Sequence, residues 1–328
     1  MEYAGRRHAR ILLGLLTIAT LCRPGVAGAS CTPSAAPPDA PTALVLSGGG
    51  AKGAWEAGVA VALARHGLPL RVVTGSSAGA LNATMIVDGR LERLEALWRG
   101  VRRDQVYTLR PSVFFAGLLP GWLTLATLDH ARSILDPQPL QELIAASVDL
   151  DRIRESPVRL LVIASDLARR EKRLFDNRTV TIDALMAATA VPGAFPPVEV
   201  DGELLVDGGL ASRAPVLEAL ATEPSVRRAV VVMGFAAAES GSRPTTIRRV
   251  LEDAFEMAML HQIRRETELA RLKYPAVDVQ LLEPSAPLQV RPLDFDADAI
   301  ARLLELGRAD AIACLETWAR AGGSARAR

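Results

Sequence analysis

The chain is poor in the residues that several kinds of chemistry require. Aromatic residues make up 4% of its 328 positions, and 38 Lys and Arg are balanced by 37 Asp and Glu. With few rings for base stacking and no basic block, nucleic-acid binding is excluded as the expected role. Histidine occurs four times and cysteine three times, and no His/Cys/carboxylate cluster has the spacing of a metal site, so neither a metal nor an organic cofactor is expected. Beyond the amino terminus no apolar run is long and uninterrupted enough to span a bilayer. What remains is a chain that is 49% hydrophobic, which can bury a sizeable core.

The amino terminus has its own pattern. Arg6, Arg7 and Arg10 precede an apolar run from Ile11 to Leu21, and Ala27-Gly28-Ala29 follows. That order predicts a signal peptide over 1–29, with a membrane anchor as the alternative, and hence export to a periplasmic or secreted location. A Pro/Ala-rich linker follows over 30–41. Cys31 and Cys314 stay in the mature chain, where they could pair; alternatively Cys31 could carry a lipoprotein anchor, although Gly28 stands where a lipobox has Leu.

Apolar runs that could be strands alternate with helical patterns through most of the rest. Thr42–Ser47, the run Arg71–Thr74, Leu160–Ser165, Val226–Phe235 and Val277–Leu282 read as strands, and Val198–Val206 as a hairpin turning at Asp201-Gly202. Ala54–Arg65, Arg90–Val101, Asp183–Ala190, Ile247–Leu272 and Asp296–Arg320 read as helices, followed by a disordered tail over 321–328. The expectation is an α/β fold of three layers around a mainly parallel sheet.

Two turns between strand and helix carry the chemistry. Gly75-Ser76-Ser77-Ala78-Gly79 has the spacing of a nucleophile elbow, with Ser77 the nucleophile, Ser76 a filler, and the helix N-terminus favouring negative charge at the serine; a plain Gly/Ser turn fits as well. Gly48-Gly49-Gly50-Ala51-Lys52-Gly53 lacks the Gly-Lys-Ser/Thr end of a phosphate loop. It matches a dinucleotide turn weakly, and an oxyanion hole formed by Gly48, Gly49 and Gly50 fits a nucleophile one unit later. No histidine is well placed as a base: His66 ends a helix, His130 lies in an irregular stretch and His261 falls inside a helix. Asp207, after Leu204-Leu205-Val206 and before Gly208-Gly209, is the better partner, with an ordinary turn as the plainer reading.

Taken together, Gly48 to Gly53, Gly75 to Gly79, Ala188-Thr189-Ala190-Val191-Pro192-Gly193-Ala194-Phe195-Pro196-Pro197 and Asp207-Gly208-Gly209 resemble, in order, the four blocks of patatin-like phospholipases. The resemblance covers about residues 42 to 285. It implies a serine-aspartate dyad acyl hydrolase over 42–320, with Ser77 as nucleophile, Asp207 as base, Gly48 to Gly50 as oxyanion donors and Lys52 as a candidate head-group contact. It implies a lipid or phospholipid substrate and peripheral membrane contact; Val113–Leu128 and the Met257/Met259 helix could supply apolar lining, with plain core as the more ordinary reading of each. One departure stands out: Arg213-Ala214-Pro215 occupies the place where the family often has Asn-x-Pro. A hydrolase of small soluble or neutral-lipid esters and a catalytically silent lipid-binding protein remain as alternatives.

Overall fold

A computed structural model describes residues 31–116, 130–236 and 244–326. Among them ten strands are found: β1 Thr42–Leu46, β2 Leu70–Gly75, β3 Thr108–Leu109, β4 Leu135–Asp136, β5 Arg159–Asp166, β6 Glu171–Asp176, β7 Val198–Val200, β8 Glu203–Asp207, β9 Arg228–Val232 and β10 Asp278–Leu282. The helices are α1 Gly53–Arg65, α2 Ala78–Asp88, α3 Leu91–Gly100, α4 Pro111–Ala116, α5 Gln138–Ser147, α6 Leu150–Glu155, α7 Ile182–Ala188, α8 Val216–Thr222, α9 Ile247–Lys273 and α10 Ala297–Arg326.

Eight strands form the central sheet in the order β10-β9-β1-β2-β5-β8-β7, with β6 on the remaining edge of β5. From β10 to β5 every pairing is parallel. These strands read as continuous apolar runs because helices cover both of their faces; all five residues of β1 and of β9 are buried. One face packs on α1, α2 and α10 and the other on α8 and α9. Helix α1 is buried along most of its length, and its Gly58 meets α10 backbone to backbone at Leu304 while Gly307 meets Trp55. A Cβ at either glycine would clash with a carbonyl, so the pair sets the crossing distance of the helices that back the site. Cys31 and Cys314 form a disulfide with Cα atoms 5.6 Å apart, pinning the segment before β1 to α10.

The expected strands and long helices are present with boundaries shifted by a few residues. The carboxy-terminal helix runs past the expected end at Arg320 through Arg326. Strand β6 escaped the sequence reading because Glu171-Lys172-Arg173 is charged and half of the strand is exposed at an edge, so it carries no apolar signature.

Candidate active site

The reactive geometry follows from how β5 is bordered. Strand β2 pairs with one edge of β5 as far as Gly75 opposite Val162, then turns away. Antiparallel β8 occupies that same edge beyond the turn, with Asp207 opposite Ala164. Two residues of β5, roughly 7 Å, therefore separate the start of the elbow from the aspartate. Two residues past Gly75 stands Ser77.

Ser77 has φ 55° and ψ −135°, a conformation that non-glycine residues rarely adopt, and it caps the N-terminus of α2. The strain is held by its surroundings. The Ser77 amide donates to the Ala188 carbonyl at 3.0 Å. The Asp207 amide donates to the Ala190 carbonyl at 2.9 Å, and the Ser165 hydroxyl donates to the Asp207 carbonyl at 2.8 Å. The end of α7 thus clamps both residues through backbone groups, a role that its Ala-Thr-Ala sequence does not display.

Asp207 is buried; Oδ1 accepts from the Gly209 amide at 2.8 Å, and Oδ2 is enclosed without a well-aligned hydrogen bond among the described residues. Burial pushes its carboxyl above the ordinary range, opposed by the Arg213 charge, the Gly209 amide and the Ser77 hydroxyl, which lies close enough to favour the ionised form. The serine and the aspartate named from the sequence are thereby brought together. None of the three histidines joins them: His66 lies against the Ala62 carbonyl, and His130 and His261 are exposed.

The glycine loop lies against the elbow so closely that a Cβ on Gly48 would clash with the Ser76 carbonyl. Its three amides are not equivalent. Gly48 donates to both carboxylate oxygens of Glu56 at 2.9 Å, and the Ser47 hydroxyl donates to the same group. Of the expected oxyanion donors, Gly48 is therefore already committed, whereas the Gly49 and Gly50 amides donate to no side chain among the described residues. Glu56 is fully buried, and burial pushes it up to about 7 despite the Ser47 hydroxyl, the Arg213 charge and the Gly48 amide.

Lys52 departs from expectation. It is 2% exposed, pairs with Glu256 of α9 at 3.0 Å and lies 4.5 Å from the Phe235 ring centroid. The ammonium is thus enclosed by Glu256 and the Phe235 ring rather than open to a head group. Ser76 is not a filler either, since its hydroxyl donates to the Arg213 carbonyl at 2.9 Å and ties the elbow to the loop after Asp207.

From Ser77 and Gly50 an apolar cavity of about 160 Å³ extends between α2, α3 and α5, lined by Leu81, Met85, Leu94, Leu97, Trp98, Leu140, Leu143, Ile144 and Phe195. Pro292, Leu293 and Phe295 close one side. Of the two stretches that the sequence offers for lining, with plain core as the more ordinary reading, neither is seen to supply it among the described residues. Met259 is buried in the core on the opposite face of the sheet and Met257 is 58% exposed, so the long helix does not supply it. Val113–Leu128 falls mostly outside the described residues; Phe114, which is described, is exposed.

The family model for patatin-like phospholipases matches residues 44–220. The chain belongs to the patatin-like phospholipase family. An uncharacterized NTE family protein of Mycobacterium tuberculosis is 32% identical over 176 residues, which is 53% of this chain and 44% of that protein. The neuropathy target esterase of Drosophila persimilis is 25% identical over 175 residues, 52% of this chain and 11% of that one. The match thus spans less than half the length of these curated relatives. Among solved structures, VipD from Legionella pneumophila aligns with a TM-score of 0.50 and 16% identity over 88% of this chain and 70% of that chain, a likeness of fold.

Proposed function

We propose that this patatin-like chain is a serine-dependent lipid acyl hydrolase of phospholipase A or lysophospholipase type. The observation that carries the reading is the apolar cavity that begins at the strained Ser77, beside a buried carboxylate. As the Ser77 oxygen attacks an ester carbonyl, Asp207 accepts its proton, and the oxyanion is held by the Gly49 and Gly50 amides and the N-terminus of α2. Protonated Asp207 returns the proton to the departing alcohol. Water then attacks the acyl-enzyme with Asp207 again as base, and Asp207 returns that proton to the Ser77 oxygen as the fatty acid leaves. Each step uses groups of the chain and water.

A lipid surface as the source of substrate is supported by exposed Leu109 and Ile134 on and beside the β3–β4 pair and by Leu293 at the cavity wall. Export is supported by the Cys31–Cys314 disulfide, which belongs in an oxidising compartment and uses the thiol that lipidation would need. The intact mass of the exported protein tests that point: a start near Ser30 with two hydrogens missing for the disulfide is expected, and a diacylglyceryl mass on Cys31 would overturn it.

The function is tested with a panel of phospholipids, lysophospholipids, neutral lipids and short soluble esters, on wild type and on Ser77→Ala, together with fluorophosphonate labelling. Hydrolysis of long-chain lipid esters that vanishes with the serine is expected. Preference for short soluble esters would favour the small-ester alternative, and a wild type that neither turns over nor labels would indicate a silent binding protein.

A further inference from the structure

The residue that breaks the family's pattern after Asp-Gly-Gly lies at the centre of the site. Arg213 is 4% exposed, and its Nη1 stands 3.9 Å from Asp207 Oδ1. A methyl group built on Gly49 would lie 3.7 Å from Nη2, and one built on Gly209 would collide with Nη1. The guanidinium therefore fills the space between the glycine loop and the aspartate loop. Its Nε is buried without a hydrogen-bond partner among the described residues. Its main chain is fixed on both sides: its carbonyl accepts from Ser76, and Glu266 of α9 accepts from the Ser212 hydroxyl at 2.7 Å and the Ala214 amide at 2.6 Å. The charged groups that act on it are Asp207 at the end of β8 and Glu56 from α1, while Glu266 of α9 holds the residues on either side of it; Lys52, beside the glycine loop, is paired with Glu256.

A buried cation is costly unless an anion faces it, and here a single carboxylate at 3.9 Å answers a group with five donors. The reaction supplies a second anion. When Ser77 attacks, the new Oγ–C bond forms, the carbonyl electron pair moves to oxygen, and the proton passes to Asp207. Negative charge thus leaves Asp207 and appears beside Gly49 and Gly50. A fixed cation between the two positions faces a negative charge before and after the transfer, with no rearrangement.

Resting on the proposed serine-aspartate chemistry, we propose that Arg213 is a positioning residue of this chain, a stationary counter-ion that keeps Asp207 ionised at rest and then faces the oxyanion. The family's more usual asparagine cannot supply that charge.

The test compares wild type, Arg213→Gln, Arg213→Asn and Arg213→Lys, each with Glu56 intact and as Glu56→Gln so that Glu56 titration is removed. Ester hydrolysis is followed from pH 4.5 to 9, with circular dichroism and thermal melts as controls. In Arg213→Gln and Arg213→Asn the acid limb of kcat/KM should move up by about 1 pH unit in both backgrounds, with about a tenfold loss of rate below the limb and KM changed by less than about threefold. Arg213→Lys, which keeps the charge, should hold the limb near its wild-type place and recover most of the rate. If the neutral variants do not fold, the lysine variant decides: a folded Arg213→Lys with the limb displaced by a unit overturns the proposal. So does a folded Arg213→Gln with an unmoved limb and wild-type rate. Ser77→Ala in the same assay separates the two levels: if it is inactive while Arg213→Gln behaves as wild type, only this inference fails, and if it remains active both fail.

Discussion

Two buried cations flank the glycine loop, and they are employed differently. Lys52, four residues after Gly48 in the chain, is held by Glu256 and the Phe235 ring. Arg213, far along the chain, lies between the glycine loop and Asp207, with one carboxylate at 3.9 Å and a buried Nε that has no hydrogen-bond partner among the described residues. Proximity in sequence to a reactive loop thus indicates little about which charge the loop uses. A satisfied cation is architecture, and an unsatisfied one beside a buried acid has work to do when charge moves.

The comparison is broken most severely by removing the acid and the serine that give the Arg213 side its meaning. Ser77→Ala and Asp207→Asn should each lower turnover by about 10³-fold or more, and the double variant should be little worse than either, because members of a catalytic unit are not additive. Esterase rates and fluorophosphonate labelling check this. His130→Ala or His261→Ala as inactive as Ser77→Ala would return the base to a histidine.

A change of similar energy but opposite consequence lies far from the site. Replacing Cys31 and Cys314 together with Ser should cost about 2–5 kcal/mol of stability, read by denaturant melts, while kcat of the folded enzyme stays as it was. A fall in kcat at full folding would mean that α10 transmits strain to the loop.

The Glu56 contact sharpens the comparison through pH. Its folded carboxyl is raised by burial to about 7 from 4.5, so its contribution to stability is present below the unfolded value and is lost as pH rises through about 7. Glu56→Gln should flatten that decline by roughly 1–3 kcal/mol between pH 4.5 and 8. Thermal melts across that range measure it, and wild-type and variant curves that run parallel would remove Glu56 from the account.

Lys52→Met should cost about 1–3 kcal/mol of stability through the lost ion pair, yet change turnover on anionic and zwitterionic phospholipids by less than about threefold. A selective loss on anionic lipid would restore the head-group role to Lys52. Smallest of all, Met257→Ala should alter stability by no more than about 0.5 kcal/mol and leave acyl-chain preference untouched, because the side chain is exposed and away from the cavity. A shifted chain-length profile in this variant would put α9 back at the acyl site.

The fold was legible because parallel strands covered on both faces must be continuous apolar runs, and β1, β2, β5 and β9 are such runs. The elbow and the aspartate were legible because their glycines answer local steric demands. The cavity wall was not. Leu94, Leu97, Leu140 and Ile144 have ordinary amphipathic spacing, and nothing in a single helix says whether its apolar stripe meets a core or a space. Arg213 was visible only as a departure from a pattern; its meaning depends on Gly49, Asp207 and Ser76, which meet it through the fold. The loop carrying Pro292 and Leu293 left no signal, for its part is a carbonyl that accepts from the Ala51 amide at 2.8 Å.

The clamp at the end of α7 has a mechanical consequence. Ser77 and Asp207 are fastened to carbonyls only two residues apart, so their separation is measured against one short length of peptide rather than against the whole sheet. That measure is written in backbone oxygen, and the side chains at 188–190 enter it only through how the buried Ala188, Thr189 and Ala190 pack. A residue inserted between Ala188 and Ala190 would lengthen the ruler by up to about 3.8 Å, more than a proton transfer can span, and would part the two residues while leaving every side chain of the site in place.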